Sequence, residues 1–561
     1  MSIPSNCALR GQGANSTILK VSTTSGPPIE IGTASPNFSN AVSITSGATA
    51  GSTSIVVSSA SGISTGSYLV ISNLNDGVIV SQNGSEGPCT WCDGNETSNG
   101  SRTQGQIVEV ENVSGSTITI SPGLYTTYSL TPHATPMSMT KYAGVENLQV
   151  YANNTHTSGN YTNFVMSGCA YCWLSGVEGN YTDGDQVDVY WSYFGEIVNS
   201  YFSNAFIHQA GAYDSDVDLI NKTSGFLVQN NIVERLHVGF MMEWGAAGNV
   251  IAYNYSSAHF DSTTPNYVVQ DVDFHGAHPQ FNLIEGNVAD TFGQDGIWGS
   301  SANNTFFRNW AVGTTTGCLP LTGRGTVVCT PLGVYGNAGV NGWWEFQGSK
   351  AISSDFDESS INFVGGVHGS AFQQSLQAYG SPQASTDRVV AMCGPVTCGT
   401  NSRPYDANNY GMSFGYGVTS DTGGTGSVNQ GCSVSDGYTC ESLTPYNTLF
   451  LHGEYSNISG STTWSGSVSH TLPTSLYLNT EPSWWTSTIP WPAIGPDVTG
   501  GSGPGGHVYS TTAANPAQNC YFNVMGGSIG GAGSPYNFNA GTCYPSGQAP
   551  APPTNLTVVV S

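Results

Sequence analysis

Short apolar runs alternate with polar residues along the middle of the chain, and one pattern is repeated between residues 147 and 310. Each repeat has two or three apolar residues, then polar residues, and usually an asparagine in sixth place. The repeats are NLQVYAN from Asn147, SGVEGNY from Ser175, EIVNSYF from Glu196, FLVQNNI from Phe226, NVIAYNY from Asn249, NLIEGNV from Asn282 and NTFFRNW from Asn304. Their starts lie 21 to 33 residues apart, which is typical of solenoid coils, and the β-branched and aromatic runs favour strands over helices.

The asparagines in sixth place are expected to lie at a turn that every coil repeats. They are Asn180, Asn231, Asn254, Asn287 and Asn309. Asparagine tolerates the left-handed backbone conformation, and its amide can bond to the asparagine of the next coil, about 4.8 Å away. The pattern therefore predicts stacked coils held together by asparagine ladders.

The same patterning divides the chain into five parts. We expect opening coils in residues 1–40, a small inserted β-domain in 41–140, the main coils in 141–315, later coils with long loops and a cap in 316–500, and a loop-rich C-terminal segment and linker in 501–561. The aromatic run SWWTSTIPWPAIGPDV, from Ser483 to Val498, is the expected cap, because an open stack exposes unpaired strand edges. The sequence opens on a strand-like stretch, so the chain is expected to begin inside a folded unit, with a leader removed or missing.

Composition narrows the choice of partner. Charged residues make up 8% of the chain, there are 72 glycines, and the net charge is −25 with only 11 lysines and arginines. Nucleic acid is a poor partner for such a chain, and an anionic polysaccharide is disfavoured for the same reason. The 28 tyrosines and 12 tryptophans suit neutral sugar rings, whose apolar faces stack on aromatic side chains. No membrane span is visible in the sequence.

Thirteen cysteines fall mostly into close pairs, which predicts disulfides and an oxidising, extracellular or cell-surface location. The expected pairs are Cys89–Cys92, Cys169–Cys172, Cys318–Cys329, Cys393–Cys398, Cys432–Cys440 and Cys520–Cys543, with Cys7 left over. A four-thiolate zinc site made by the two CxxC motifs is the alternative, although about 76 residues separate them, far more than zinc ribbons use.

Three stretches carry a resemblance to a known family: IPSNCALRGQGANSTIL at the start, AGVENLQVYANN from Ala143, and the repeated units. Together they resemble the pectate-lyase-like superfamily, over about half of the chain. The resemblance implies an all-β, right-handed parallel β-helix, secretion, and a carbohydrate groove along one parallel sheet. The arginine base and calcium-binding aspartates of pectate lyases have no counterpart here beyond Arg235 and Arg308, and the polygalacturonase signature is missing. Neither activity is carried over.

Acidic residues concentrate where three coils are expected to align, on MMEWG, VDFHG and GIWGS. Glycoside hydrolysis needs two carboxyl groups about 5 Å apart for retention or about 6.5–9.5 Å apart for inversion, and stacked coils supply such spacings. We therefore expect Asp273 and Asp295 to act as acid and base, with Glu243 as a third candidate and His275 orienting one of them. The expected substrate-binding residues are Trp244, Trp298, His278, Asp271 and Trp191.

Simpler interpretations stand beside these. Asp183, Asp185 and Asp188 are expected to cap turns, Glu234 and Arg235 to form a structural ion pair, and Arg308 to anchor a turn. No metal or other cofactor is expected, and a structural or catalytic Ca²⁺ is the alternative. The sequence predicts a secreted glycoside hydrolase acting on a polysaccharide. A non-catalytic adhesin, tailspike-like or surface-fibre protein is the first alternative and a polysaccharide lyase the second. The oligomeric state is left open.

Overall fold

The structure is a computed structural model. It describes residues 1–23, 25–77, 80, 83–84, 87–153, 161–208, 216–259, 269–313, 316–318, 329–331, 351–355, 358–369, 412–416, 448–457, 460–466, 469–486, 488–528 and 537–545.

Three sheets run along the molecule, as expected of a parallel β-helix, and each of the first seven coils contributes one strand to each sheet. The later described coils contribute strands to sheets 2 and 3. Sheet 1 contains Ser2–Ile3, Ile29–Ile31, Phe164–Ser167, Val187–Tyr190, Val217–Ile220, Phe240–Glu243 and Val272–His275. Sheet 2 contains Ala8–Arg10, Gly144–Glu146, Trp173–Ser175, Glu196–Val198, Leu227–Gln229, Val250–Ala252, Leu283–Glu285, Thr305–Phe307, Asn362–Val364 and Phe450–His452. Sheet 3 contains Ile18–Val21, Gln149–Ala152, Glu178–Asn180, Tyr201–Ser203, Ile232–Glu234, Tyr255–Ser257, Val288–Ala289, Trp310–Ala311, Val367–His368, Glu454–Ser456 and Ser461–Thr463.

Side chains on one face of each sheet fill the space between the three sheets. In sheet 1 the strands Val187–Tyr190 and Val217–Ile220 direct alternate residues inward, because successive side chains of a strand point to opposite faces. One apolar core runs from Ile3 to Phe363 and is the main source of stability, since one coil alone cannot bury its apolar face. The all-β β-helix expected from the sequence is confirmed.

An antiparallel barrel interrupts the second coil, between Ile29–Ile31 of sheet 1 and Gly144–Glu146 of sheet 2. Its six strands are Val42–Ser46, Ser54–Val57, Tyr68–Ser72, Gly105–Ser114, Thr117–Ser121 and His133–Met137. The barrel has its own apolar core. A second cluster joins Tyr68 and Ile107 of the barrel to Trp191 and Phe194 of the coils, so the barrel packs on the β-helix.

Asparagine ladders cross the coils, as the sequence predicted. Asn231 donates through Nδ2 to Asn254 Oδ1, Asn254 to Asn287 and Asn287 to Asn309, each at 3.0 Å. These amides point into the coil and are buried. The left-handed residue is the one before each of them, for example Asn230 and Tyr253, rather than the ladder asparagine itself.

Asn180 was assigned to this ladder wrongly. It ends the strand Glu178–Asn180 in sheet 3, and the ladder continues instead to Ser200, whose backbone N–H donates to Asn231 Oδ1 at 2.9 Å. In the alignment of the stacked strands, the unit SGVEGNY therefore begins three residues later in its coil than FLVQNNI does. A second ladder, which the sequence analysis missed, joins Asn249, Asn282 and Asn304 at the entry to sheet 2.

The polypeptide from Thr471 to Tyr544, here called the C-terminal segment, runs back along the outside of the coils. Its contacts with the coils are Asp497 with Arg308, Tyr477 with Gln229, Tyr521 with Glu234, and Asn539 with Asn15. Arg308 makes two 2.7 Å contacts with Asp497, and Arg235 lies 2.8 Å from Glu234, as expected of an anchor and a structural ion pair. The aromatic run expected to cap the stack lies on its side instead, where Trp484 and Trp485 pack on Tyr253.

Two of the expected disulfides are present, Cys89–Cys92 and Cys520–Cys543. The Cys169–Cys172 prediction is wrong: both are buried free thiols within the core, where Cys169 Sγ lies 3.5 Å from Ser192 Oγ and Cys172 Sγ lies 3.6 Å from the Ala170 carbonyl. The Cys89–Cys92 disulfide also excludes the alternative of a four-thiolate zinc site, because it occupies two of the four thiols. Cys318 and Cys329 are opposite residues of an antiparallel pair, but their side chains lie outside the described structure, as do Cys393, Cys398, Cys432 and Cys440.

The remaining elements are short. Small strand pairs are formed by Thr140–Lys141 with Cys169–Ala170, Asn83–Gly84 with Gly87–Pro88, Thr316–Cys318 with Cys329–Pro331, and Ile352–Asp355 with Met412–Tyr416. Helical turns are Phe38–Asn40, Pro504–Gly506, Pro516–Asn519, Cys520–Val524 and Ala540–Cys543. No helix in the described part of the chain has the length and hydropathy needed to span a membrane.

The ladder makes a stability prediction. Asn254→Ala removes the acceptor of the Asn231 backbone N–H, at 2.8 Å, and the donor to the Val228 carbonyl, at 3.0 Å. Each buried group left without a partner costs about 1–3 kcal/mol, so we expect the free energy of unfolding to fall by about 3 kcal/mol in urea titrations. Asn112→Ala, at an exposed barrel position, is the control and should change it by about 0.5 kcal/mol or less. Equal effects of the two substitutions would contradict the ladder's structural role.

Candidate functional site

Two rows of side chains point away from the core on sheet 1, one from each alternate position of its strands. The first row is Asp188, Asp218, Met241 and Asp273, and the second is Tyr190, Ile220, Glu243 and His275. Strand pairing sets these neighbours, since Asp188 pairs with Asp218 and Glu243 with His275 in register. Residues far apart in sequence thus lie about one strand spacing, 4.8 Å, from each other. We call these two rows of outward-pointing side chains, taken together, the acidic row.

His275 lies between two carboxylates. Its Nδ1 is 2.5 Å from Asp295 Oδ2, and its Nε2 is 3.9 Å from Glu243 Oε1. Burial lowers the pKa of His275, but the charges of Asp295 and Glu243 outweigh burial and hold that pKa well above its usual value. The raised pKa of His275 favours its imidazolium form, and the Nδ1 contact orients the Asp295 carboxyl group.

Asp218 is the most unusual carboxyl group of the acidic row. It is 5% exposed, and its Oδ1 is buried without a hydrogen-bond partner in the described structure. Burial first, and then the negative charge of Glu243, raise its pKa well above the usual value. Burial also raises the pKa of Asp188, its neighbour in the row. The geometry therefore keeps a proton on Asp218 at a pH where ordinary aspartates are ionised.

The predicted acid and base both bond to nearby backbone. Asp295 Oδ1 accepts the Ile297 N–H at 3.0 Å, and Asp273 Oδ1 accepts the Phe274 N–H at 2.9 Å. Asp273 belongs to the acidic row and Asp295 lies beside it, so the structure brings them together with Glu243 and His275. Their catalytic roles stay predictions. The arrangement places Asp295 as the partner of His275 rather than as a group facing a second carboxyl across a sugar.

Aromatic side chains flank the Asp295 end of the row. Trp244 and Trp298 are partly buried and pack on the Cys89–Cys92 disulfide and Ala277. Trp298 is also in edge-to-face contact with Trp91, with ring centroids 4.9 Å apart. Trp244 follows Glu243 directly and has a left-handed backbone, φ 46°, which turns the chain out of sheet 1.

Three of the predicted substrate-binding residues are buried structural groups, and those predictions are wrong. Trp191 is 5% exposed in the interface between barrel and coils. His278 is fully enclosed, and burial lowers its pKa to about 3. Asp271 accepts the Thr291 backbone N–H at 3.0 Å from a fully buried position, and burial raises its pKa to about 7.

Asp218 and Trp91 were not predicted from the sequence. A signal for Asp218 was present, because the Val-Asp pair of VDFH at Val272 also occurs in VDVY at Val187 and in VDLI at Val217. Each of these pairs begins a sheet 1 strand. Trp91 has no such signal, because it comes from the barrel and reaches the coils only in the folded chain.

Within the described ranges, no group of three or more histidine, cysteine, aspartate or glutamate side chains is placed to hold a metal ion. The acidic row brings together Asp218, a buried carboxyl group with a raised pKa, and His275, which lies between the carboxyl groups of Asp295 and Glu243.

Comparison with known proteins shows no family for this chain. Neither a family model nor a curated protein matches the sequence. Two similar solved structures are the Pseudomonas phage phi297 tailspike gp61 (TM-score 0.37, 10% identity, 65% of this chain and 58% of that chain) and the tailspike gp49 from Pseudomonas phage LKA1 (0.37, 15%, 65% and 53%). A third is the Gp54 tailspike of Acinetobacter baumannii bacteriophage AP22 in complex with A. baumannii capsular saccharide (0.23, 12%, 65% and 64%).

The chain thus spans less than two thirds of the length of each of these tailspikes. Similarity at these TM-scores concerns stacked coils and carries no argument about what the chain binds. The class defined by fold and site is a parallel β-helix protein with a row of acidic side chains on one sheet.

The raised pKa of Asp218 predicts a pH-dependent stability. The folded chain keeps this proton above the pH at which the unfolded chain releases it, so stability is lost as pH rises above about 4. Asp218→Asn removes this loss. We expect its melting temperature to match the wild type at pH 4 and to exceed it by about 2 °C or more at pH 8, by calorimetry. Glu481→Gln, at an exposed position, is the control. A difference that does not grow with pH would contradict the protonated state of Asp218.

Proposed function

We propose that this chain is a polysaccharide-binding β-helix protein that hydrolyses its ligand at the acidic row of sheet 1. The observation that carries the proposal is the buried Asp218 carboxyl group, whose Oδ1 has no hydrogen-bond partner among the described residues and whose pKa is raised by burial and by the charge of Glu243. General acid catalysis requires a carboxyl group that holds its proton near neutral pH, and burial beside a like charge is the usual way to obtain one.

The geometry suits an acid and a base on one wall of a groove. Asp218 and Glu243 lie on adjacent strands and two residues apart in register, which separates their Cα atoms by about 8 Å. Side chains on one face of adjacent strands at this Cα spacing can reach the carboxyl separation of about 6.5–9.5 Å that inverting glycosidases use to leave room for a water molecule. Asp218 gives its proton to the glycosidic oxygen as the bond to the anomeric carbon breaks. Glu243 takes a proton from the water whose oxygen forms the new bond to that carbon.

His275 and Asp295 act as positioning residues in this mechanism. The imidazolium faces Glu243 from 3.9 Å and is itself held by Asp295 at 2.5 Å, which fixes the ring and its charge before substrate arrives. Asp273 adds negative charge beside His275. A neutral polysaccharide fits better than an anionic one, because the row repels further negative charge.

The sequence also predicted two alternatives to a glycoside hydrolase. A non-catalytic glycan-binding protein is favoured by the backbone bonds of Asp273 and Asp295, which are typical of carboxylates that cap turns. A lyase is less well supported, because Arg235 and Arg308 are bound to Glu234 and Asp497. We also propose secretion to an extracellular or cell-surface location, since the Cys89–Cys92 and Cys520–Cys543 disulfides favour an oxidising compartment.

The test is a screen of neutral polysaccharides (soluble starch, laminarin, xyloglucan, galactomannan) for released reducing ends, with gel retardation by the same polymers. We expect the wild type to cleave at least one, and Asp218→Asn and Glu243→Gln each to lower kcat by about 100-fold or more with binding retained. Glu481→Gln is the matched control on an exposed carboxyl group and should leave kcat unchanged.

The outcomes separate the candidate functions. Retardation without cleavage of any polymer would replace hydrolysis with the non-catalytic binding function. Cleavage that survives both substitutions would remove Asp218 and Glu243 from the mechanism. Products carrying an unsaturated sugar, absorbing near 235 nm, would indicate a lyase instead.

A further inference from the structure

We propose that the barrel contributes a sugar-stacking subsite beside the acidic row, formed by Trp91 and Trp298. This inference rests on the proposed function, because its ligand is the same polysaccharide. Trp91 is among the most exposed aromatic side chains described, at 37% of its surface, and its edge-to-face contact with Trp298 leaves indole surface open to solvent. A sugar ring presents an apolar face that such a surface can bind.

The loop that carries Trp91 is rigidly built. The disulfide between Cys89 and Cys92 closes it on both sides of the tryptophan, and both cysteines are fully buried. They pack on Ala277 and Trp244, which follow the sheet 1 strands that carry His275 and Glu243. Asp93 accepts the Asn95 and Thr97 backbone N–H groups at 2.9 and 3.1 Å, which fixes the exit from the loop. An exposed indole on a rigid loop binds with little loss of conformational entropy.

The loop is also joined to the reacting end of the row. A side chain at Gly84 would begin 1.9 Å from the Ile297 carbonyl oxygen, so only glycine allows the two backbones to approach so closely. Ile297 donates its N–H to Asp295, the partner of His275. Trp298 follows Ile297 directly and is three positions after Asp295, a span of at most about 11 Å. The Trp91–Trp298 pair therefore lies within reach of a glycan chain bound on the acidic row.

The subsite explains a feature that the coils alone do not. The barrel interrupts the second coil, yet its loop meets the sixth, seventh and eighth coils, where the acidic row ends. The insertion thus brings a binding surface to a site assembled from residues about 130 to 200 positions further along the chain. We assign this surface to a sugar ring of the bound polysaccharide rather than to a separate partner, because Trp298 lies three positions after Asp295, beside the row.

The experiment measures affinity separately from cleavage. Affinity gel electrophoresis in soluble starch, laminarin, xyloglucan or galactomannan should show at least a tenfold higher Kd for Trp91→Ala and for Trp298→Ala than for the wild type. Trp91→Phe should recover most of the affinity, because it keeps an aromatic face. Tyr509→Ala is the matched control, since Tyr509 is 38% exposed on the C-terminal segment, and its Kd should equal that of the wild type.

A second variant tests the rigidity of the loop. Cys89→Ser with Cys92→Ser should raise Kd by a similar factor while the melting temperature of the coils stays within a few degrees. Wild-type affinity in Trp91→Ala, together with cleavage by the wild-type protein, would overturn the subsite and leave the proposed function intact. The absence of both retardation and cleavage with every polymer would overturn both proposals.

Discussion

The register of the stacked strands is the constraint on which the rest of this structure depends. Parallel pairing holds each coil against the next, and a slip of one residue would turn the inward apolar side chains outward. The asparagine ladder through Asn231, Asn254 and Asn287 prevents such a slip, because each amide satisfies buried backbone groups of neighbouring coils as well as the next amide. The same register aligns Asp188 with Asp218 and Glu243 with His275. The strand register thus determines both the packing that stabilises the fold and the alignment of the side chains in the candidate site.

Electrostatics opposes the packing at the acidic row. Bringing several carboxyl groups onto one wall costs free energy unless protons or opposite charges compensate, and two compensations are present. The raised pKa of Asp218 favours its neutral form, and the raised pKa of His275 favours a positive charge between Asp295 and Glu243. With 11 lysines and arginines in the whole chain, a histidine rather than a lysine or arginine supplies that charge. The unfavourable electrostatic free energy is therefore concentrated in the part of the fold that is proposed to bind or cleave the ligand.

Much of the fold could be predicted from periodic residues, and much of the site could not. Repeated apolar runs and sixth-place asparagines identified the coils. The turn of each coil, however, is marked by the residue with a left-handed backbone that precedes Asn231 or Asn254, and Asn180 lies in a strand instead of at that turn. Asp273, Asp295, Glu243 and His275 were found because acids are rare in this chain. Trp191, His278 and Asp271 were misassigned because the barrel and neighbouring turns bury them, and burial by distant segments leaves no mark in a local pattern.

The central claim is that a polysaccharide lies along the acidic row and onto the barrel loop. Hydrogen–deuterium exchange of the Glu243→Gln variant, with and without the polymer that retards the protein most strongly, tests it most directly. The account predicts slower exchange in peptides containing Phe240–Glu243, Val272–His275 and Cys89–Cys92, with no change in the C-terminal segment. Protection confined to sheet 2, sheet 3 or the C-terminal segment would contradict it.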